Sequence, residues 1–141
     1  MPDESVHILL AKHNQDLINH LLENKSQFHD WITIAAFYKA LHIVEALFFN
    51  DPEIRHGQNH ENRDRFLKTN NKYKNIYIHY RPLWAAATIA RYLEGPRTST
   101  VNSFSEYMSP DDVISIILNN HLLQVEKSAQ KFLSPQNASL L

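Results

Sequence analysis

Apolar residues recur along this chain at the three- and four-residue spacings of helices, and nowhere in the two-residue alternation of strands. Val6, Leu10, Leu17, Leu21 and Leu22 mark an apolar face on a first helix between Asp3/Ser5 and Asn24. Asp30 is placed to cap a second helix over 31–49. Its residues are apolar nearly all round, from Trp31 and Ile32 to Phe48 and Phe49, so it is expected to be the most buried element. Asn50-Asp51-Pro52 ends it. Asn59 then caps a short, charged third helix over 60–70. A fourth runs over 75–94 and stops at Gly95-Pro96, with Pro82 either kinking it or marking its true start. Residues 96–108 are polar and read as a mobile loop, the one connection long enough for a lid. Ser109-Pro110-Asp111-Asp112 opens a last helix. Ile114, Ile117, Leu118, His121, Val125, Ala129 and Phe132 share its inner face, and the tail is expected to fray from about 134.

The pattern predicts one all-α domain over 1–141, an up-and-down helical bundle of about five helices. Composition supports it: 141 residues suit a single domain, and 43% hydrophobic residues suffice for a core. Only two glycines occur, too few for the tight turns of a sheet protein. The lack of cysteine excludes disulfides, thiolate metal sites and a cysteine nucleophile. No segment reaches the roughly 18 consecutive apolar residues of a membrane span. The acidic start, Met1-Pro2-Asp3-Glu4-Ser5, lacks the positive region of a secretory signal. A cytoplasmic protein with no membrane partner is the expectation.

The net charge of −1 conceals a basic middle. Residues 1–54 carry three Lys against eight acids, or −5, and residues 98–141 carry two against four, or −2. Residues 55–97 hold all six Arg and three Lys against three acids, or +6. A local field of that sign attracts an anionic ligand. The densest polar cluster lies there: Arg55-His56-Gly57-Gln58-Asn59-His60-Glu61-Asn62-Arg63-Asp64-Arg65, spanning a loop and a helix start. His60 and Arg63 share a helical face, and a helix N-terminus suits phosphate. A second group is the stripe Tyr38, His42 and Glu45 on the second helix, placed to orient the basic cluster or line a dimer seam. Arg91, after the apolar 85–90 run, can snorkel to a pocket rim. His56 and His60, four apart beside Glu61, are the metal alternative. Gly57 between them and the lack of a second ligand pair argue against it, so neither a metal nor a cofactor is expected. No glycine-rich phosphate loop or nucleophile elbow occurs.

Several of these segments together resemble HEPN-type domains of bacteria and archaea. They are Asp30-Trp31 leading into Ala35-Ala36-Phe37-Tyr38-Lys39-Ala40-Leu41-His42, then Val44-Glu45-Ala46, Gly57-Gln58-Asn59-His60-Glu61-Asn62-Arg63, Phe66-Leu67, Tyr77, Leu83 and Ala90-Arg91-Tyr92. The resemblance covers roughly 30–93. It implies a small, usually dimeric helical bundle, in many members a metal-independent endoribonuclease of a toxin–antitoxin or anti-phage system. Their signature is an Arg followed by a His with four to six residues between them. Here only Arg55 and His60 have that spacing. The resemblance thus implies Arg55, His60 and Arg63 as catalytic residues, with internal attack of a ribose 2′-hydroxyl on its phosphate as the chemistry. Arg65, Lys68, Arg91 and Tyr92 are the expected nucleic-acid contacts, and a homodimer the expected assembly, with a cognate protein as a further partner. The alternative is a non-catalytic RNA- or nucleotide-binding or protein-interaction module, with Tyr73, Tyr77 or Tyr80 available to stack bases.

Overall fold

A computed structural model describes residues 2–96 and 100–141. Among them the chain is all-α. Helix α1 (Glu4–Leu21) starts where Asp3 accepts a hydrogen bond from the Val6 N–H. A short 3₁₀ turn, Leu22–Asn24, leads into α2 (Lys25–Asn50), which bends at Phe28. The second helix thus begins earlier than Asp30. α3 (His60–Thr69) opens at Asn59, whose side chain accepts from the Asn62 N–H as expected of a cap. α4 (Lys74–Tyr92) continues through Pro82 and ends at Leu93, which takes the left-handed conformation (φ 61°) usually left to glycine. The terminator is therefore two residues ahead of Gly95.

The segment over 96–108 departs from a plain loop. Residues 97–99 lie outside the described ones, but Phe104–Tyr107 form a helical turn, α5, pinned by buried Phe104 against the His29 ring. After Ser109 caps α6 (Pro110–Asp112), the closing helix widens into a π segment, Val113–Leu122, before α7 (Leu123–Gln130). The wider turn shifts the inner face. Val113, Ile117, Leu122, Val125 and Ala129 are buried, whereas Ile114, Leu118 and His121 are only half-buried. The last turn of the tail, α8 (Pro135–Ala138), is tied to α1 where the Ser134 N–H and the Asn137 amide both donate to Glu4.

Cross-helix contacts give the up-and-down arrangement. Asn50 reaches Glu4 and Lys39 reaches Gln15, so α1 and α2 run antiparallel. Tyr73 stacks on Phe48 while Arg91 reaches Tyr38, so α4 runs antiparallel to α2. His121 meets His79 and Phe132 meets Tyr73, returning the closing helix along α4. α2 lies at the centre, with Ile32, Ala36, Phe37, Ala40, Ile43, Val44 and Phe48 wholly buried, although Trp31 at its start is 55% exposed. Between Glu4 and Asn50 one 18-residue window has a mean hydropathy of 1.6, apolar enough to cross a membrane by length and composition, and 78% of it is buried inside the bundle.

The first helix corrects the hydrophobic reading. Its buried face is His7, Ile8, Ala11 and Ile18, while Val6, Leu9, Leu10 and Leu17 are exposed. Ala11 leaves room for α2 to approach, and His7 can bond His42 only from that face. Val6, Leu10 and Leu17 of the expected face thus lie about a third of a turn from the buried one, while Leu21 and Leu22 at its end pack against the core.

Candidate phosphate site at the α2–α3 junction

The turn from α2 into α3 is built around one buried carboxylate. Glu45, facing the loop from α2, is 2% exposed. Its Oε2 accepts from the Gly57 N–H at 3.1 Å and from His56 Nδ1 at 2.9 Å, and its Oε1 accepts from Arg63 Nη1 at 3.0 Å. A buried charge is tolerable when it is paired and hydrogen-bonded in this way. Gly57 is required for space, since a Cβ there would lie 2.3 Å from both Arg63 Cγ and Glu45 Oε1. The loop makes its turns at Arg55 (φ 68°) and Gln58 (φ 70°).

Arg63, itself buried, links this anchor to His60. With Nη1 held by Glu45, its Nη2 lies 3.3 Å from His60 Nδ1 one turn earlier on α3. Guanidinium has only donors, so Nδ1 is the acceptor and the His60 proton sits on Nε2. Burial, then the charges of Arg63 and Arg91, lower the His60 pKa from its ordinary value. His60 also rests 5.6 Å from the Phe37 ring centroid. Arg91, whose guanidinium lies 5.8 Å from the centroid of the same Phe37 ring, donates from Nη1 to the Tyr38 hydroxyl at 3.1 Å and from Nε to the Ala87 carbonyl at 3.2 Å. Its guanidinium lies over Tyr92, 5.3 Å from the centroid, and Tyr92 is 65% exposed. The result is an imidazole bonded to one guanidinium and within the field of a second, beside aromatic faces. That combination suits a phosphate flanked by a base.

The expected residues divide accordingly. The structure brings His60, Arg63 and Arg91 together, with Tyr38 supporting Arg91 and Glu45 supporting Arg63. It does not bring Arg55 in: that side chain is exposed and has no hydrogen bond or ion pair among the described residues. Arg65 is exposed, bonding Asn62 and lying over Phe66, and Lys68 is exposed farther along α3. The stripe on α2 serves three different neighbours, because His42 turns to His7 rather than to Glu45, with 3.1 Å between their Nδ1 atoms. Of the tyrosines offered for stacking, Tyr73 and Tyr80 are buried, and Tyr77 alone is half-exposed. No group of three or more metal-ligating side chains occurs among the described residues. Sequence reasoning missed His7 and the pair His79–His121, 3.0 Å apart at Nδ1, since nothing in the chain marks contacts between residues so far apart.

These histidines predict the acid response. Burial lowers the pKa of His7, His42, His60 and His121, and neighbouring imidazoles or guanidiniums lower it further. Each takes its proton more readily when unfolded, so acid favours the unfolded chain. Stability is full above about pH 6.5, the ordinary histidine value, and falls as the pH drops through it until the folded imidazoles are themselves protonated. Thermal melts by circular dichroism are expected to show Tm declining from pH 7 to pH 5, whereas a flat or rising Tm would contradict this.

Compared with protein families, curated proteins and solved structures, the chain matches none. The site's own chemistry therefore carries the functional reading.

Proposed function

We propose that this chain is an RNA-directed protein of HEPN type, acting as a metal-independent endoribonuclease of a toxin–antitoxin or anti-phage system in the cytoplasm. The observation that carries the reading is His60 bonded to Arg63, its pKa lowered by burial and then by the charges of Arg63 and Arg91. A phosphodiester entering there competes for Arg63 Nη2. Its arrival frees His60 Nδ1 to take the 2′-hydroxyl proton as the 2′-oxygen bonds to phosphorus. The bond to the 5′-oxygen breaks, and that oxygen takes a proton from water. Arg91 and Arg63 neutralise the charge gathering on the phosphoryl oxygens. Tyr92, exposed beside Arg91, offers a face to an unstacked base. The homodimer implied by the resemblance belongs to the same reading, and the exposed stripe Val6, Leu9, Leu10 and Leu17 supports it as apolar surface for a second copy.

One second reading has specific support. His60 Nδ1 is occupied at rest and Arg55 stands apart, an arrangement that grips phosphate without cleaving it. It makes the protein a non-catalytic RNA-binding module. Both readings require phosphate contact at Arg91. Arg91→Ala is expected to weaken RNA binding and lower the slope of log affinity against log salt by about 0.7 to 0.9, the share of one phosphate contact. Unchanged affinity and slope in fluorescence anisotropy titrations would remove Arg91 from the site.

A further inference from the structure

A second basic recess lies farther along α3, one to two turns beyond His60 on the same side of the helix. Asp64 and Lys68, one turn apart on α3, face Tyr77, Arg81, Pro82 and Ala85 on α4 across a cavity of about 390 Å³. That volume falls within the range of small-ligand sites. Lys68 is exposed and has no partner among the described residues. Arg81 lies flat over the Trp84 ring, 4.1 Å from its centroid, with Nη1 a long 3.5 Å from Asp64. Both groups of that ion pair are partly exposed, with side chains 38% and 26% accessible, so the pair is weak and its guanidinium exchangeable. Tyr77 is half-exposed and makes no hydrogen bond among the described residues. The recess thus combines two cations against one carboxylate with a flat wall of Tyr77 and the Pro82 ring.

We infer that this groove is a nucleotide subsite, taking one nucleoside monophosphate unit with its phosphate between Lys68 and Arg81 and its base against Tyr77. Planar guanidinium and flexible ammonium together meet a phosphate's oxygens, and stacking on tyrosine tolerates any base. Binding transfers Arg81 from Asp64 to the phosphate, so Asp64 is a competitor within the site. The inference deepens the RNA reading by adding a place for a nucleotide flanking the one at His60. A free nucleoside monophosphate offers the same chemistry as the phosphorylated end of an RNA strand.

Trp84, directly beneath Arg81, is a built-in reporter. In a Trp31→Phe background it is the sole tryptophan, and titration with AMP is expected to change its fluorescence saturably at sub-millimolar concentration. Adenosine alone and inorganic phosphate alone should each bind at least fivefold more weakly, because each satisfies half the site. Lys68→Ala should weaken AMP at least fivefold, Tyr77→Ala should weaken it similarly, and Asp64→Asn should tighten it. His60→Ala should leave AMP binding unchanged, which separates this groove from the site one turn earlier on α3. A short RNA bearing a 5′-phosphate that displaces AMP, where its unphosphorylated counterpart does not, identifies the strand end as the occupant. Equal competition by both identifies an internal nucleotide, and no competition by either leaves the free nucleotide. Absence of saturable AMP binding would overturn the inference whatever RNA does at His60. So would AMP binding that survives Lys68→Ala and Tyr77→Ala but is lost with His60→Ala.

Discussion

Glu45→Gln is expected to destabilise the protein by about 3 kcal/mol or more, the usual cost of removing one partner from a buried ion pair. Three donors converge on this carboxylate: Arg63 Nη1, the Gly57 N–H and His56 Nδ1. A glutamine of the same shape offers one acceptor oxygen where two are used, and sets its amide N–H groups against donors. Arg63, 8% exposed, then keeps its charge with no counter-charge at its anchor. Unfolding in urea should show a lower midpoint with an unchanged m value, since the surface exposed on unfolding stays the same. Removing both charges in Glu45→Gln/Arg63→Met should recover part of the loss, because the isolated buried charge is the costly species. A midpoint within error of the parent protein would show that the junction is not held by this pair.

The helices were legible because local chemistry encodes them. Asn59 and Ser109 do cap helices, as their side chains imply, and the nearly all-round apolar surface of α2 does mark the central element. What could not be read were choices made by long-range packing. On α1 two faces carry apolar side chains, and contact with α2 selects the one bearing Ala11 and His7 over the one richer in leucine. The π segment widens the closing helix in a way no residue announces, so Val113 and Leu122 are buried in place of Ile114, Leu118 and His121, while Ile117, Val125 and Ala129 are buried as expected.

The site was legible in part for the same reason. His60 and Arg63 lie one turn apart and stay together in any helix. Glu45 could be placed on a face but not matched to its partner, which comes from 18 positions on. Arg55 shows the opposite failure: its spacing to His60 is a property of the string, and its exposed side chain makes no hydrogen bond or ion pair among the described residues. Arg91 joins the site across 53 positions through Tyr38, a pairing visible only in the fold.

The account rests on His60 acting with Arg63 and Arg91, and one measurement addresses that directly. Purified protein is incubated with a mixed RNA pool in excess chelator, beside His60→Ala whose circular dichroism matches the parent. The ribonuclease reading predicts cleavage without metal and its loss in His60→Ala, by 10²-fold or more as expected for removal of a general base. Chelator-resistant cleavage that persists undiminished in His60→Ala would contradict the site. Binding without cleavage, weakened by His60→Ala, would leave the phosphate site and remove the catalysis. Neither binding nor cleavage by the folded protein would contradict the account as a whole.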